Sequence, residues 1–143
     1  MSRARVLLVD DETEFVDALK ERLEMRDLTV YTANDGAHAL ALVKEHNVDA
    51  VILDLNMPGM DGIETLKEMR AYDDGLQIVV LTGYGAISTS VEAVRAGARD
   101  FLEKPVGIDK LTKVIEEAAD SRFTILEERS VKAVENILKT RGW

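Results

Sequence analysis

The sequence predicts an α/β fold: one doubly wound, five-stranded parallel sheet with an extra helix at the C-terminal end. Three observations predict it. Short apolar runs recur along the chain, and helix-like segments with apolar residues three and four apart lie between them. The 143 residues suffice for one domain with an appendage but not for two large ones. A composition of 46% hydrophobic and 31% charged residues is ordinary for a globular protein that folds on its own.

The first apolar run is Val6-Leu-Leu-Val9, with the length and β-branched content of a strand. A helical segment follows with Phe15, Leu19 and Leu23 on one face. Leu28-Thr-Val-Tyr31 is the second and weakest strand, and Ala37, Leu40 and Val43 mark the second helix, with Gly36 at its start. Ala50-Val-Ile-Leu53 is the third strand. The third helix carries Ile63, Leu66 and Met69 between Gly62 and Gly75. The fourth strand is Ile78-Val-Val-Leu81, and the fourth helix has Val91 and Val94 on its apolar side, closed by Gly97 in Ala-Gly-Ala. Asp100-Phe-Leu-Glu103 is short and polar at its ends, which places it at or near a sheet edge. Runs one, three and four read as buried on both faces, as in a parallel sheet.

A fifth helix spans roughly Asp109 to Ala119. Beyond it, Thr124-Ile-Leu-Glu127 reads as a capping box and Val131, Val134, Ile137 and Leu138 form an apolar stripe, so a further helix is expected. The chain divides into a domain over 1–120 and a helical extension over 121–143. A stripe of this kind usually packs within its own chain.

Five βα units require right-handed crossovers and helices on both sheet faces. The strand order 2-1-3-4-5, the flavodoxin-like one, satisfies this and makes the first and third strands neighbours at the switch point. Asp10, Asp11 and Asp54 then stand at the carboxyl ends of those two strands, beside the crevice where such folds bind ligands.

With 27 acidic against 18 basic residues, a net charge of −9, and no compact Lys/Arg cluster, direct binding of nucleic acid or an anionic membrane surface is not expected. The absence of cysteine excludes disulfides, thiol catalysis and zinc-thiolate sites. Met1 to Arg5 lead directly into the first strand, which reads as neither a signal peptide nor a membrane span, and a cytoplasmic location is expected.

Taken alone, Asp10 and Asp11 read as a solvated loop or a helix cap, and Asp54 as a strand-end residue before a turn. Their convergence alters that reading. Three carboxylates in one crevice repel one another unless protonated or met by a cation, and oxygen-only donors suit magnesium. Thr82 follows the fourth strand and Lys104 the fifth, which brings a hydroxyl and an ammonium to the same rim. A nucleophilic carboxylate, a metal, a fixed cation and a hydroxyl donor form a minimal phosphoryl-transfer site. Gly83, after Thr82, leaves that position uncrowded, or serves only as part of a turn.

Four segments carry a family resemblance: Val-Asp10-Asp11-Glu, Leu-Asp54-Leu-Asn-Met-Pro-Gly-Met-Asp-Gly, Leu-Thr82-Gly-Tyr-Gly and Phe101-Leu-Glu-Lys104-Pro105. Over about Arg5 to Ala119 the chain resembles the response-regulator receiver domains of two-component signalling (CheY-like). The resemblance implies that Asp54 is phosphorylated by a sensor histidine kinase or phosphotransfer protein. It implies Mg2+, with Mn2+ as a substitute, held by Asp11, Asp54 and the Asn56 backbone carbonyl, while Asp10 acts through a bound water or from behind the ligands. Lys104 would pair with the phosphoryl group and Thr82 would swing to it, vacating space for Phe101. The face of helix 4, strand 5 and helix 5 would then change and bind an unidentified downstream protein or form a homodimer. Lys104-Pro105 resembles the family's cis bond, although trans is the default for any X-Pro. The chain would be a switch rather than an enzyme, apart from its own phosphorylation and slow dephosphorylation.

Other readings stay open at this point. One is a receiver-like docking module that is never phosphorylated. Another is a haloacid-dehalogenase-like phosphatase, which needs a second aspartate where this chain has Asn56. Neither a Gly-x-Gly-x-x-Gly turn nor a Walker loop supports nucleotide binding. His38 and His46 read as surface residues.

Overall fold

The computed structural model describes residues 4–57, 61–83 and 87–140. Its elements are β1 (Arg5–Val9), α1 (Thr13–Glu24), β2 (Thr29–Ala33), α2 (Gly36–Glu45), β3 (Ala50–Asp54), α3 (Gly62–Tyr72), β4 (Gln77–Thr82), α4 (Ile87–Arg95), β5 (Asp100–Glu103) and α5 (Ile108–Thr140). The strands form one parallel sheet in the order β2-β1-β3-β4-β5, as the sequence predicts.

Strand alternation sends successive side chains to opposite faces, both of them covered, which explains why the central strands are apolar between their ends. Val6, Leu8, Ile52, Val79 and Leu81 pack beneath Leu19 and Leu23 of α1 and Leu111 and Ile115 of α5. Leu7, Val9, Val51, Leu53, Ile78 and Val80 meet Ala39 and Val43 of α2, Leu66 and Met69 of α3 and Ala93 of α4. Asp35 and Asp61 start α2 and α3 by accepting the N–H groups of His38 (2.7 Å) and Glu64 (3.0 Å). At the end of α4, Gly97 has φ +114°, Gly97 N–H donates to the Val94 carbonyl and Ala98 N–H to the Ala93 carbonyl, the paired bonds of a Schellman cap.

The structure corrects several local expectations. The second strand lies later, over Thr29–Ala33. On α2 Val43 is buried as expected, but Ala37 is exposed and Ala39 takes the inward position. On α4 the expected inward pair points out: Val91 and Val94 are 43% and 42% exposed, while Ser90 and Ala93 are buried. Small side chains let that helix approach the sheet closely.

The largest correction concerns the C-terminal segment. It is helical, but it continues α5 without a break over 33 residues, about 50 Å at the usual rise. Thr124 caps nothing; its hydroxyl donates to the Asp120 carbonyl one turn back. The apolar stripe does not pack on its own domain either, because every residue from Leu126 to Thr140 is exposed. The buried line of α5 runs through Leu111, Ile115, Ala118 and Arg122. At about 100° per residue, the stripe residues Val131, Val134, Ile137 and Leu138 fall between roughly 70° and 170° away from that line.

Candidate functional site

The parallel register assembles the site. Val9 is level with Leu53, and Asp54 is level with Leu81. Asp10 and Asp54 therefore emerge side by side where β1 and β3 end. Thr82 is level with Glu103, and Lys104 N–H donates to the Thr82 carbonyl at 2.9 Å, extending the ladder by one residue. That bond brings Lys104 to the same rim. The Lys104-Pro105 peptide is cis.

Lys104 Nζ donates to Asp10 Oδ2 at 2.8 Å, to Glu12 Oε1 at 2.9 Å and to Asp54 Oδ2 at 3.3 Å. Its ammonium also stands 4.7 Å from the centre of the Phe15 ring. Asp10 and Asp54 are 4% and 2% exposed. Each has its other oxygen occupied by a backbone N–H two residues on, that of Glu12 for Asp10 and of Asn56 for Asp54, both at 2.9 Å. These short Asx-type bonds fix the carboxylates at the strand ends.

Burial pushes the Asp54 carboxyl above its ordinary 3.8, and the charge of Asp10 adds to the rise; the Asn56 N–H and Lys104 act in the opposite direction. For Lys104, burial opposes the charge, but hydrogen bonds to Asp10 and Glu12 and the charge of Asp54 raise its pKa above the ordinary lysine value. The ammonium is thus protonated at neutral pH.

Asp10, Glu12 and Asp54 each offer an oxygen within 4.8 Å of the others. Three carboxylates against one ammonium leave excess negative charge. Oxygen-only donors with that excess fit a hard divalent cation such as magnesium.

The site gathers Asp10, Asp54 and Lys104 of the residues expected from the sequence and adds an acid that was not among them. Asp11 is exposed and is not among the carboxylates around Lys104, whereas Glu12 is. Sequence reasoning missed Glu12, although a third consecutive acid one residue before a helix was the available signal. Thr82 is buried, and its hydroxyl lies 3.4 Å from the Leu102 carbonyl of β5. Phe101, on the outer strand, is 37% exposed. A Cβ built on Gly83 would come within 3.2 Å of Asn56 Nδ2, so Gly83 lets the loops after β3 and β4 approach each other. Asn56 is exposed and touches Asp54 through its own N–H. Pro58, Gly59 and Met60 of the third-strand motif, and Tyr84 and Gly85 after Gly83, lie outside the described residues.

Comparison with known proteins agrees with this geometry. Regulatory protein AtoC of Escherichia coli (strain K12) is 37% identical over 114 residues, covering 80% of this chain and 25% of that protein. The C4-dicarboxylate transport transcriptional regulatory protein DctD of Pseudomonas aeruginosa is 34% identical over 131 residues, 92% of this chain and 28% of its own length. This chain therefore spans little more than a quarter of these relatives. Among solved structures, NtrX from Brucella abortus in complex with ADP superposes with a TM-score of 0.84 at 33% identity, over 91% of this chain and 30% of that one. A response regulator receiver domain protein from Clostridium thermocellum gives 0.80 at 29% identity, over 85% of this chain and 98% of that one. Residues 6–116 match the family model of the response regulator receiver domain. The chain belongs to that family, the receiver domains of two-component signal transduction.

Proposed function

We propose that this chain is a phosphorylation-activated switch in which Asp54 accepts a phosphoryl group from a sensor histidine kinase or a phosphotransfer protein. On this reading the receiver domain spans 1–120 in sequence and the segment 121–143 is an extension to it, helical as far as Thr140. The observation that carries this reading is the ammonium of Lys104 bridging Asp10 and Asp54 at the carboxyl rim of the sheet.

In the reaction, an Asp54 oxygen attacks the phosphorus of a phosphohistidine; a P–O bond forms, the P–N bond breaks, and the leaving imidazole nitrogen takes a proton. Asp54 is well placed as nucleophile because one oxygen is held by Asn56 N–H and the other faces Lys104. Asp11, Asp54 and the Asn56 carbonyl would hold magnesium, with Asp10 behind them, and Glu12 joins the same acidic group. The metal, when bound, offsets charge on the transferring phosphoryl group.

After transfer, Lys104 pairs with the new phosphoryl oxygens and the Thr82 hydroxyl leaves the Leu102 carbonyl to reach them. Phe101 moves from its exposed position into the space that Thr82 vacates. The surface of α4, β5 and α5, which carries the exposed Val91, Val94 and Phe101, then changes its fit for a downstream protein or a second copy of the chain. The acidic chain works in the cytoplasm without touching nucleic acid itself.

Incubation with acetyl phosphate and magnesium, followed by intact mass, tests this. Wild type gains one phosphoryl mass and Asp54→Ala gains none. A wild type that fails to react where a control receiver does would abolish the reading.

A further inference from the structure

The three partners of Lys104 are not equivalent. Its ammonium has three N–H donors, and carboxylates of Asp10, Glu12 and Asp54 take all of them. An arriving phosphoryl oxygen must displace one. Asp10 is buried, tethered by a backbone N–H and charged throughout, so releasing it strands a carboxylate in a poorly hydrated site; Asp54, buried and tethered in the same way, stays a carboxylate until the P–O bond forms. The Glu12 side chain is 63% exposed, and its only hydrogen bond among the described residues is the one to Lys104. It can return to water at little cost.

The position of Glu12 sharpens the point. It is the N-cap residue of α1, yet its side chain makes no cap hydrogen bond and reaches across to Lys104 instead. A carboxylate at a helix start has a favourable use for its charge there, which gives Glu12 an alternative once Lys104 is taken.

We infer that Glu12 is the displaceable counter-ion of Lys104: it occupies the third ammonium donor in the resting state and yields it to the phosphoryl group. Glu12 therefore acts as a positioning residue that slows phosphoryl uptake and makes it sensitive to ionic strength. The inference rests on the proposed pairing of Lys104 with the phosphoryl group. It assigns Glu12 a role distinct from metal attraction, because removing its charge should weaken magnesium binding yet speed uptake once magnesium saturates.

The test compares the full wild-type chain with Glu12→Gln, which keeps the size and removes the charge. At saturating magnesium and low salt, Glu12→Gln is expected to take up the phosphoryl group from acetyl phosphate about two- to fivefold faster. The gap narrows as salt screens the charge. Beryllofluoride, titrated by NMR at saturating magnesium, binds Glu12→Gln more tightly by a similar factor. In metal-free protein, reductive methylation read by peptide mass modifies Lys104 faster in Glu12→Gln than in wild type. Equal or slower uptake by a folded Glu12→Gln, beside a wild type that reacts, overturns the role of Glu12 and leaves the switch reading intact. Failure of wild type itself overturns both.

Discussion

The two ends of the sheet both carry clusters of charge, and they are built in opposite ways. At the carboxyl rim, three acids face one lysine. At the amino end, two arginines of α5 face the loops that enter β3 and β4. Arg122 Nη2 meets Asp73 Oδ2 at 2.9 Å and its Nε lies 4.0 Å from Asp49, while Arg129 contacts both Asp73 and Asp74. Gly75 N–H also donates to Asp73 at 2.9 Å. Burial raises the Asp73 carboxyl, but hydrogen bonds from Arg122 and Gly75 overcome that and hold it below its ordinary 3.8. Asp54 moves the other way. A carboxylate met by two guanidinium groups is already neutralised and serves to fasten the long helix; a carboxylate left above its ordinary value has charge that a ligand can still meet. Similar residues thus make a fastening at one end and a reactive site at the other.

The most disruptive way to break the contrast is Lys104→Ala. It leaves buried Asp10 and Asp54 without their cation and should cost about 3–5 kcal/mol. Thermal unfolding with and without magnesium checks it: magnesium should restore more stability to the variant than to wild type. An equal gain in both would mean that the rim does not need a cation.

Arg122→Met tests the amino end. Arg122 Nε and Nη1 make no hydrogen bond among the described residues, so the loss falls mainly on Asp73 and should be about 2 kcal/mol. Phosphoryl uptake should stay at the wild-type rate. The deficit depends on pH with a definite sign. Because the folded value of Asp73 is lowered, its contribution is full above 3.8 and disappears as pH falls through that lowered value. Denaturant titrations at neutral and strongly acidic pH should converge for variant and wild type at the acidic end.

Asp54→Asn removes a carboxylate whose folded value is raised, so the sign reverses. Wild type lacks this penalty below 3.8 and acquires it as pH rises through the raised value. The variant should be more stable than wild type at neutral pH and equal to it in acid, as read by denaturant titration at the two pH values. A variant less stable at neutral pH would show that Lys104 outweighs burial.

The smallest effect belongs to the exposed end of α5. Ile137→Lys should change unfolding by less than about 0.5 kcal/mol, since Ile137 is 54% exposed and belongs to neither core cluster of the described residues. Light scattering of the same variant, with and without beryllofluoride, reads whether the stripe joins two copies. A mass unchanged from a dimeric wild type would remove the stripe from that interface.

Much of this was readable in the chain. The five strands, their order and the acids at the ends of β1 and β3 follow from local apolar runs and from the small set of topologies open to βα repeats. Thr82 and Lys104 were placed by the same topology. Local pattern failed where two phases were equally periodic. Ser90 and Ala93 have the same three-residue spacing as Val91 and Val94, and only packing in the folded chain selects the small pair. Arg122 lies four residues after Ala118 on the buried line of α5, where a charged residue was legible as an anomaly but its partners, Asp49 and Asp73, were not. Glu12 was passed over for the same reason: its role depends on Lys104, 92 residues away.

By itself, then, the sequence determined the order of the elements, the parallel sheet and the crevice where Asp10, Asp54, Thr82 and Lys104 meet, because periodicity and strand-end chemistry are local. Only the tertiary structure decided that Glu12 reaches Lys104, that α4 turns its valines outward, and that α5 runs unbroken past its own domain. Each of those depends on which distant surface a side chain meets, and that is set by packing across the chain.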